Sequence, residues 1–110
     1  MSNTPLPVIA QPRMNLAAPD VADARAVAAL LADRTRASVL AMLRDGPHCV
    51  CEMAAALGER ENNVSNHLAR LRDAGLVRAV RHETNGRFQY YERDEAATAR
   101  ALAALSELLR

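Results

Sequence analysis

The apolar period of this sequence changes twice within its second half, and that change limits the folds open to it. Up to Gly75 apolar residues recur every three or four positions; Leu76–His82 and Arg87–Glu92 are then β-prone runs on either side of Glu83-Thr84-Asn85-Gly86, and from Asp94 the helical spacing returns. The Asn-Gly pair is a hairpin signal, because both residues tolerate the positive φ that tight hairpin turns require. A helical chain interrupted by one hairpin is neither an open parallel sheet nor a plain bundle.

Ahead of the hairpin the spacing predicts four helices. The first runs from Asp20, an N-cap candidate after Pro19, through Val21, Ala24, Val27, Ala28 and Leu31. Asp33 caps a second helix, with Val39, Leu40 and Leu43 facing a core, which stops at Asp45-Gly46-Pro47 because proline cannot continue it. A short third helix passes through Met53, Ala54 and Leu57 to Gly58, and a fourth runs from about Arg60 to Ala74. The third and fourth form a helix-turn-helix candidate. After the hairpin, Asp94 caps a last helix with Thr98, Leu102, Leu105 and Leu109 on one stripe. The predicted order is α-α-α-α-β-β-α, mainly helical with one small β-hairpin: a winged helix-turn-helix, with one helix for the major groove and a basic ribbon for the flanking backbone.

With 110 residues the chain holds one domain, assigned to 20–110, behind a proline-rich arm at 1–19 that carries Pro5, Pro7, Pro12 and Pro19. Fourteen arginines against thirteen acidic residues leave a net charge of +1, so a nucleic-acid surface must be local and a polybasic membrane anchor is excluded. Twenty-three residues are alanine and none is tryptophan, which favours helices but gives a thin core. A second copy of the chain is the natural remedy, and Val27, Leu31, Leu102, Leu105 and Leu109 are the residues expected to bury against a symmetry mate. No apolar run approaches membrane-spanning length and no signal peptide is visible, so a cytoplasmic protein is expected. There Cys49 and Cys51, too close in sequence for an ordinary structural disulfide, are expected to be reduced.

On the fourth helix Val64, Leu68 and Leu71 make the core stripe, and Asn62, Asn66 and Arg70 lie opposite, flanked by Asn63 and Ser65. Asparagine amides pair with adenine edges, serine serves base or phosphate, and arginine holds phosphate or guanine. His67, on the border of the stripe, reads as a partly buried, hydrogen-bonded histidine rather than a metal ligand, and is counted with this DNA-facing set. Arg81 and Arg87, with Arg78 and His82, put positive charge around the hairpin tip. The same features also suit a solvated helix face and a charge-protected edge strand.

Cys49 and Cys51 are two residues apart. In a regular helix their side chains would point about 200° apart and could not share one ion. At a helix start, where unwinding a turn is cheap and the N-terminus favours thiolates, both could grip a soft ion by bending the reading motif. Two thiolates suit trivalent arsenic or antimony, mercury, cadmium or lead. Packing of two small hydrophobic cysteines is the plain alternative. His48 could assist a borderline metal such as zinc, but a tetrahedral zinc site has too few ligands here. No base beside a nucleophile, Gly-rich phosphate loop or paired carboxylates appear, so an enzyme is not expected.

The segments Cys49-Val50-Cys51-Glu52-Met53-Ala54, Asn63 through Val77, and Gly86-Arg87-Phe88-Gln89-Tyr90-Tyr91 together resemble the ArsR/SmtB family of metal-responsive repressors, over about residues 21–109. The resemblance implies a homodimeric winged-helix repressor of a metal(loid)-resistance operon that leaves double-stranded operator DNA when an ion binds. It implies that Cys49 and Cys51 supply ligands, as in the arsenic-sensing and cadmium/lead-sensing branches. Zinc sensing on the last helix is disfavoured, since Ala96 stands where a histidine belongs and that helix has none. The third cysteine frequent in arsenic sensors is replaced by Ala54, and the N-terminal arm carries no cysteine. Trivalent arsenic or antimony is therefore the expected inducer, with cadmium, lead or mercury, or oxidation or persulfidation of the same pair, as alternatives. Folding should need no cofactor.

Overall fold

The computed structural model of the protein describes residues 19–81 and 89–110. Its elements are α1 (Pro19–Leu31), α2 (Arg34–Met42), a 3-10 turn (Leu43–Asp45), β1 (His48–Cys49), α3 (Val50–Leu57), α4 (Glu61–Asp73), β2 (Val77–Val80), β3 (Tyr90–Arg93) and α5 (Glu95–Leu109). The winged helix-turn-helix order expected from the sequence is present. The hairpin tip around Asn85-Gly86 and the arm up to residue 18 lie outside the described residues.

Local chemistry explains most boundaries. Asp33 has extended backbone and its carboxylate accepts the Arg36 amide at 3.0 Å, which starts α2. Asp94 does the same for α5, accepting the Ala97 amide at 2.9 Å. Gly58 closes α3 with φ of 66°, the left-handed geometry that reverses the chain tightly enough to launch α4 three residues later. Asp20 is not a cap: it lies inside α1, which begins at Pro19, where a ring-fixed φ suits the first helical turn.

The core is built around α4. Val64, Leu68 and Leu71 are fully buried and meet Val39 and Leu43 from the α2 side, Met53 from α3, and Val77 and Tyr91 from the sheet. Truncating a leucine such as Leu68 to alanine here would cost about 2–5 kcal/mol. Helix α1 packs along α5, and the pair borders the C-terminal end of α4.

The sheet is larger than the sequence suggested. It has three antiparallel strands in the order β1-β3-β2, with β3 in the middle. The hairpin pairs Arg78 with Glu92 and Val80 with Tyr90, while β1 adds His48 opposite Tyr91 and Cys49 opposite Tyr90. A two-residue strand leaves no alternation to read, which is why β1 was invisible in the sequence.

Candidate functional site

Cys49 is the last residue of β1 and also the N-cap of α3. Its backbone is extended, with φ of −85° and ψ of 156°, so the helical spacing rule that would point the two cysteines apart does not apply. The Cα atoms of Cys49 and Cys51 stand 5.3 Å apart, and the sulfurs are joined in a disulfide. This corrects two expectations: the pair is not reduced in this structure, and the sulfurs converge with α3 intact from its first turn, without any unwinding of the reading motif.

The surroundings of Cys49 are equally specific. Its Sγ accepts the Glu52 amide at 3.2 Å while its own amide donates to Glu52 Oε1 at 2.8 Å, a reciprocal capping box with sulfur in place of the usual hydroxyl. His48 Nδ1 lies 3.6 Å from the same carboxylate oxygen. Immediately after Cys49, the Val50 amide donates to the Gln89 carbonyl at 3.1 Å, which extends the β1–β3 ladder toward the hairpin. Cys49 is buried and Cys51 half-buried. Among the described residues no group of three His, Cys, Asp or Glu is arranged to hold a metal ion.

The predicted DNA-facing residues divide. Asn62 and Asn66 are exposed near the start of α4, with Ser65 half-exposed between them. Asn63 is half-buried, and its amide donates to Glu59, whose second oxygen accepts the buried Thr35 hydroxyl. His67 is also turned inward, against Arg36 Nη1 at 3.2 Å and Asp33 Oδ1 at 3.7 Å. Arg70 is exposed two turns further on, lining a hollow of about 700 Å3 between α1, α5 and the end of α4, beside Asp23 and Arg100. Arg81 is exposed at the end of the described hairpin strand, and Arg87 lies outside the described residues. Arg78 spends its charge on Glu92 at 2.7 Å and Asp94 at 3.2 Å.

Four of the five residues expected at a dimer contact line one groove. Val27 and Leu31 of α1 meet Leu102 and Leu105 of α5 there, with Leu40 and Leu76 beneath, around a volume of about 410 Å3. Leu102 is 68 % exposed, and Leu109, at the helix end, 81 %.

Sequence reasoning missed three contributors. Glu52 was readable, since Cys-Val-Cys-Glu has the spacing of a capping box once cysteine is admitted as the cap. Tyr90 and Arg36 gave no signal, because their parts depend on strand β1 and on tertiary packing.

A helix-turn-helix with an exposed polar reading helix, a flanking β-ribbon and an extra strand from the α2–α3 connection defines the winged-helix class of DNA-binding regulators. Residues 33–79 match the family described as bacterial regulatory protein, arsR family. Through this segment, somewhat under half of the chain, the protein is similar to the ArsR family of bacterial regulatory proteins. It is 42% identical over 79 residues to the HTH-type transcriptional regulator CmtR of Mycobacterium tuberculosis (strain ATCC 25618 / H37Rv), covering 72% of this chain and 64% of the relative. It is 44% identical over 62 residues to the arsenic resistance transcriptional regulator ArsR1 of Pseudomonas putida KT2440, covering 56% and 46%. The chain thus spans under two thirds of the length of these curated relatives. Among solved structures, one described as a possible transcriptional regulator for arsenical resistance superposes with a TM-score of 0.69 at 28% identity, covering 76% of this chain and 84% of the other. No helix among the described residues is long and apolar enough to cross a membrane.

Proposed function

We propose that the chain is a homodimeric transcriptional repressor of a metal(loid)-resistance operon, released from its operator when trivalent arsenic or antimony binds Cys49 and Cys51. The observation that carries this reading is the position of Cys49, which caps α3 and pairs with the central wing strand at once. A ligand that fixes the sulfurs at a new separation draws the Cys49 sulfur away from the Glu52 amide it caps, and the resulting strain falls on the helix start and on the adjoining β1–β3 ladder. Such a ligand acts only through its different affinity for the two arrangements.

Asn62, Ser65 and Asn66 would meet base edges and phosphates, with Arg81 and Arg87 on the flanking backbone. The groove between α1 and α5 would be covered by the partner, placing two reading helices on two half-sites. Relatives named for arsenic resistance support the choice of ion. The reading is tested by adding arsenite or antimonite to reduced, DNA-bound protein; a complex that survives both contradicts it.

A second reading is favoured by the joined sulfurs. Two thiols that close to a disulfide give two electrons and two protons to an oxidant such as a peroxide. Release by peroxide without any metalloid would assign the same pair to redox sensing.

A further inference from the structure

The reading helix is tied to the dimerising helix by one side chain. Arg36 Nε donates to the Leu30 carbonyl in the last turn of α1 at 2.6 Å, and its Nη1 reaches His67 Nδ1 in the middle of α4 at 3.2 Å. An arginine has only donors, so the His67 nitrogen facing it must be the acceptor. The contact with Arg36 suits a ring that accepts at Nδ1 and carries its proton on Nε2. The second charged group against the ring is Asp33, whose Oδ1 lies 3.7 Å from the same nitrogen and already takes the Arg36 amide at 3.0 Å.

These contacts make a choice. A neutral ring accepts from Arg36 and completes the span from α1 to α4. A protonated ring can no longer accept; it repels the guanidinium and turns its new N–H toward Asp33. The span is then cut at its α4 end, while Arg36 keeps Leu30.

We propose that Arg36 and His67 are positioning residues for operator binding: the neutral His67–Arg36 hydrogen bond fixes the angle of the reading helix against α1, and so the separation of the two reading helices in a dimer. This rests on the dimeric DNA-binding reading given above. It assigns His67 no contact with DNA and makes operator affinity fall on acidification for a reason unrelated to the cysteines.

The test uses the reduced full chain and a duplex carrying the promoter immediately upstream of its own coding sequence. Anisotropy is read from about pH 8 to about pH 5.5, the interval in which imidazoles gain charge. His67→Asn places an oxygen near Nδ1 that accepts from Arg36 and does not titrate. The parent should lose about tenfold more affinity across that interval than His67→Asn, the factor expected for one charge-assisted hydrogen bond. His48 and His82 are common to both proteins and cancel in the comparison. Equal losses in the two proteins overturn the proposal. A parent that fails to bind at pH 8 overturns the DNA-binding reading itself, which is a distinguishable outcome. Independently of DNA, nitrogen-detected NMR of the histidine rings at pH 8 should show His67 as the Nε2–H tautomer; an Nδ1–H tautomer overturns the assignment.

Discussion

Cys49 faces Tyr90 across the β1–β3 ladder, so the residue that carries one sulfur of the pair shares a register position with the middle strand of the wing. Val80 of β2 sits on the other side of the same tyrosine. A displacement at the cysteines therefore has a backbone route into the ribbon that flanks the DNA, as well as the route through the start of α3. Cutting the route should separate sensing from binding. Val50→Pro removes the amide that donates to the Gln89 carbonyl, at a first helical position where proline is tolerated, and should leave inducer binding to the thiols in place while reducing release. Full release from a folded Val50→Pro protein, by anisotropy, would assign the signal to α3 alone.

The sulfur of Cys49 has a second duty as helix cap, and the two duties can be told apart by substitution. Serine is a good N-cap, so Cys49→Ser should keep the fold and abolish release, whereas Cys49→Ala should also lose about 1 kcal/mol of stability. Cys51→Ser should behave as Cys49→Ser in release. Thermal melts with operator binding check this; equal melting temperatures for Cys49→Ser and Cys49→Ala would remove the capping role.

The α4 asparagines should differ by role. Asn66→Ala, at an exposed position, should weaken operator binding about tenfold, within the range for one base contact, and leave the melting temperature unchanged. Asn63→Ala breaks the tie to Glu59 and should lower stability by about 1 kcal/mol. A destabilised Asn66→Ala protein would mean that this residue supports the fold instead.

Much of this was legible in the sequence because it is local. Asp33 and Asp94 could be named as caps from residue type and position, and the Val64, Leu68 and Leu71 stripe from spacing alone. Strand β1 was not legible, since two residues carry no period and exist as a strand only against β3. The convergence of Cys49 and Cys51 was misjudged for the same reason: the angle between their side chains depends on whether Cys49 is helical or extended, and the neighbouring strand decides that. Asn63 looked like a reading residue because a helical wheel marks its side of α4 but not the Glu59 carboxylate that claims it, whereas the border position of His67 already marked a partly buried, hydrogen-bonded histidine, with only its Arg36 and Asp33 partners left to tertiary packing.

Acid stability should report on Asp33. The Arg36 amide, with smaller help from the His67 and Arg36 charges and against partial burial, holds its carboxyl below the usual carboxylate range. A folded value below the unfolded one adds stability at pH above the ordinary carboxylate range, and that contribution is lost as pH falls through the folded value. Asp33→Asn keeps an oxygen cap without the charge, so its deficit in melting temperature should be largest above the ordinary carboxylate range and shrink as pH falls through the lowered value of Asp33. A deficit independent of pH would contradict the shift.

The groove between α1 and α5 predicts the oligomer. Leu102 is 68 % exposed in the single chain, so Leu102→Glu should leave each chain folded and halve the mass seen by light scattering. Operator affinity should fall with it. A parent protein that is already monomeric at micromolar concentration would refute the dimer.

The most direct test of the central claim is fluorescence anisotropy of the promoter duplex with fully reduced protein, titrated with arsenite and antimonite in parallel for the parent, Cys49→Ser and Cys51→Ser. The account predicts tight binding by all three proteins and release of the parent alone, complete near one equivalent of metalloid per chain. Release of either serine variant at the same stoichiometry, or a parent that stays on the DNA throughout, would contradict it.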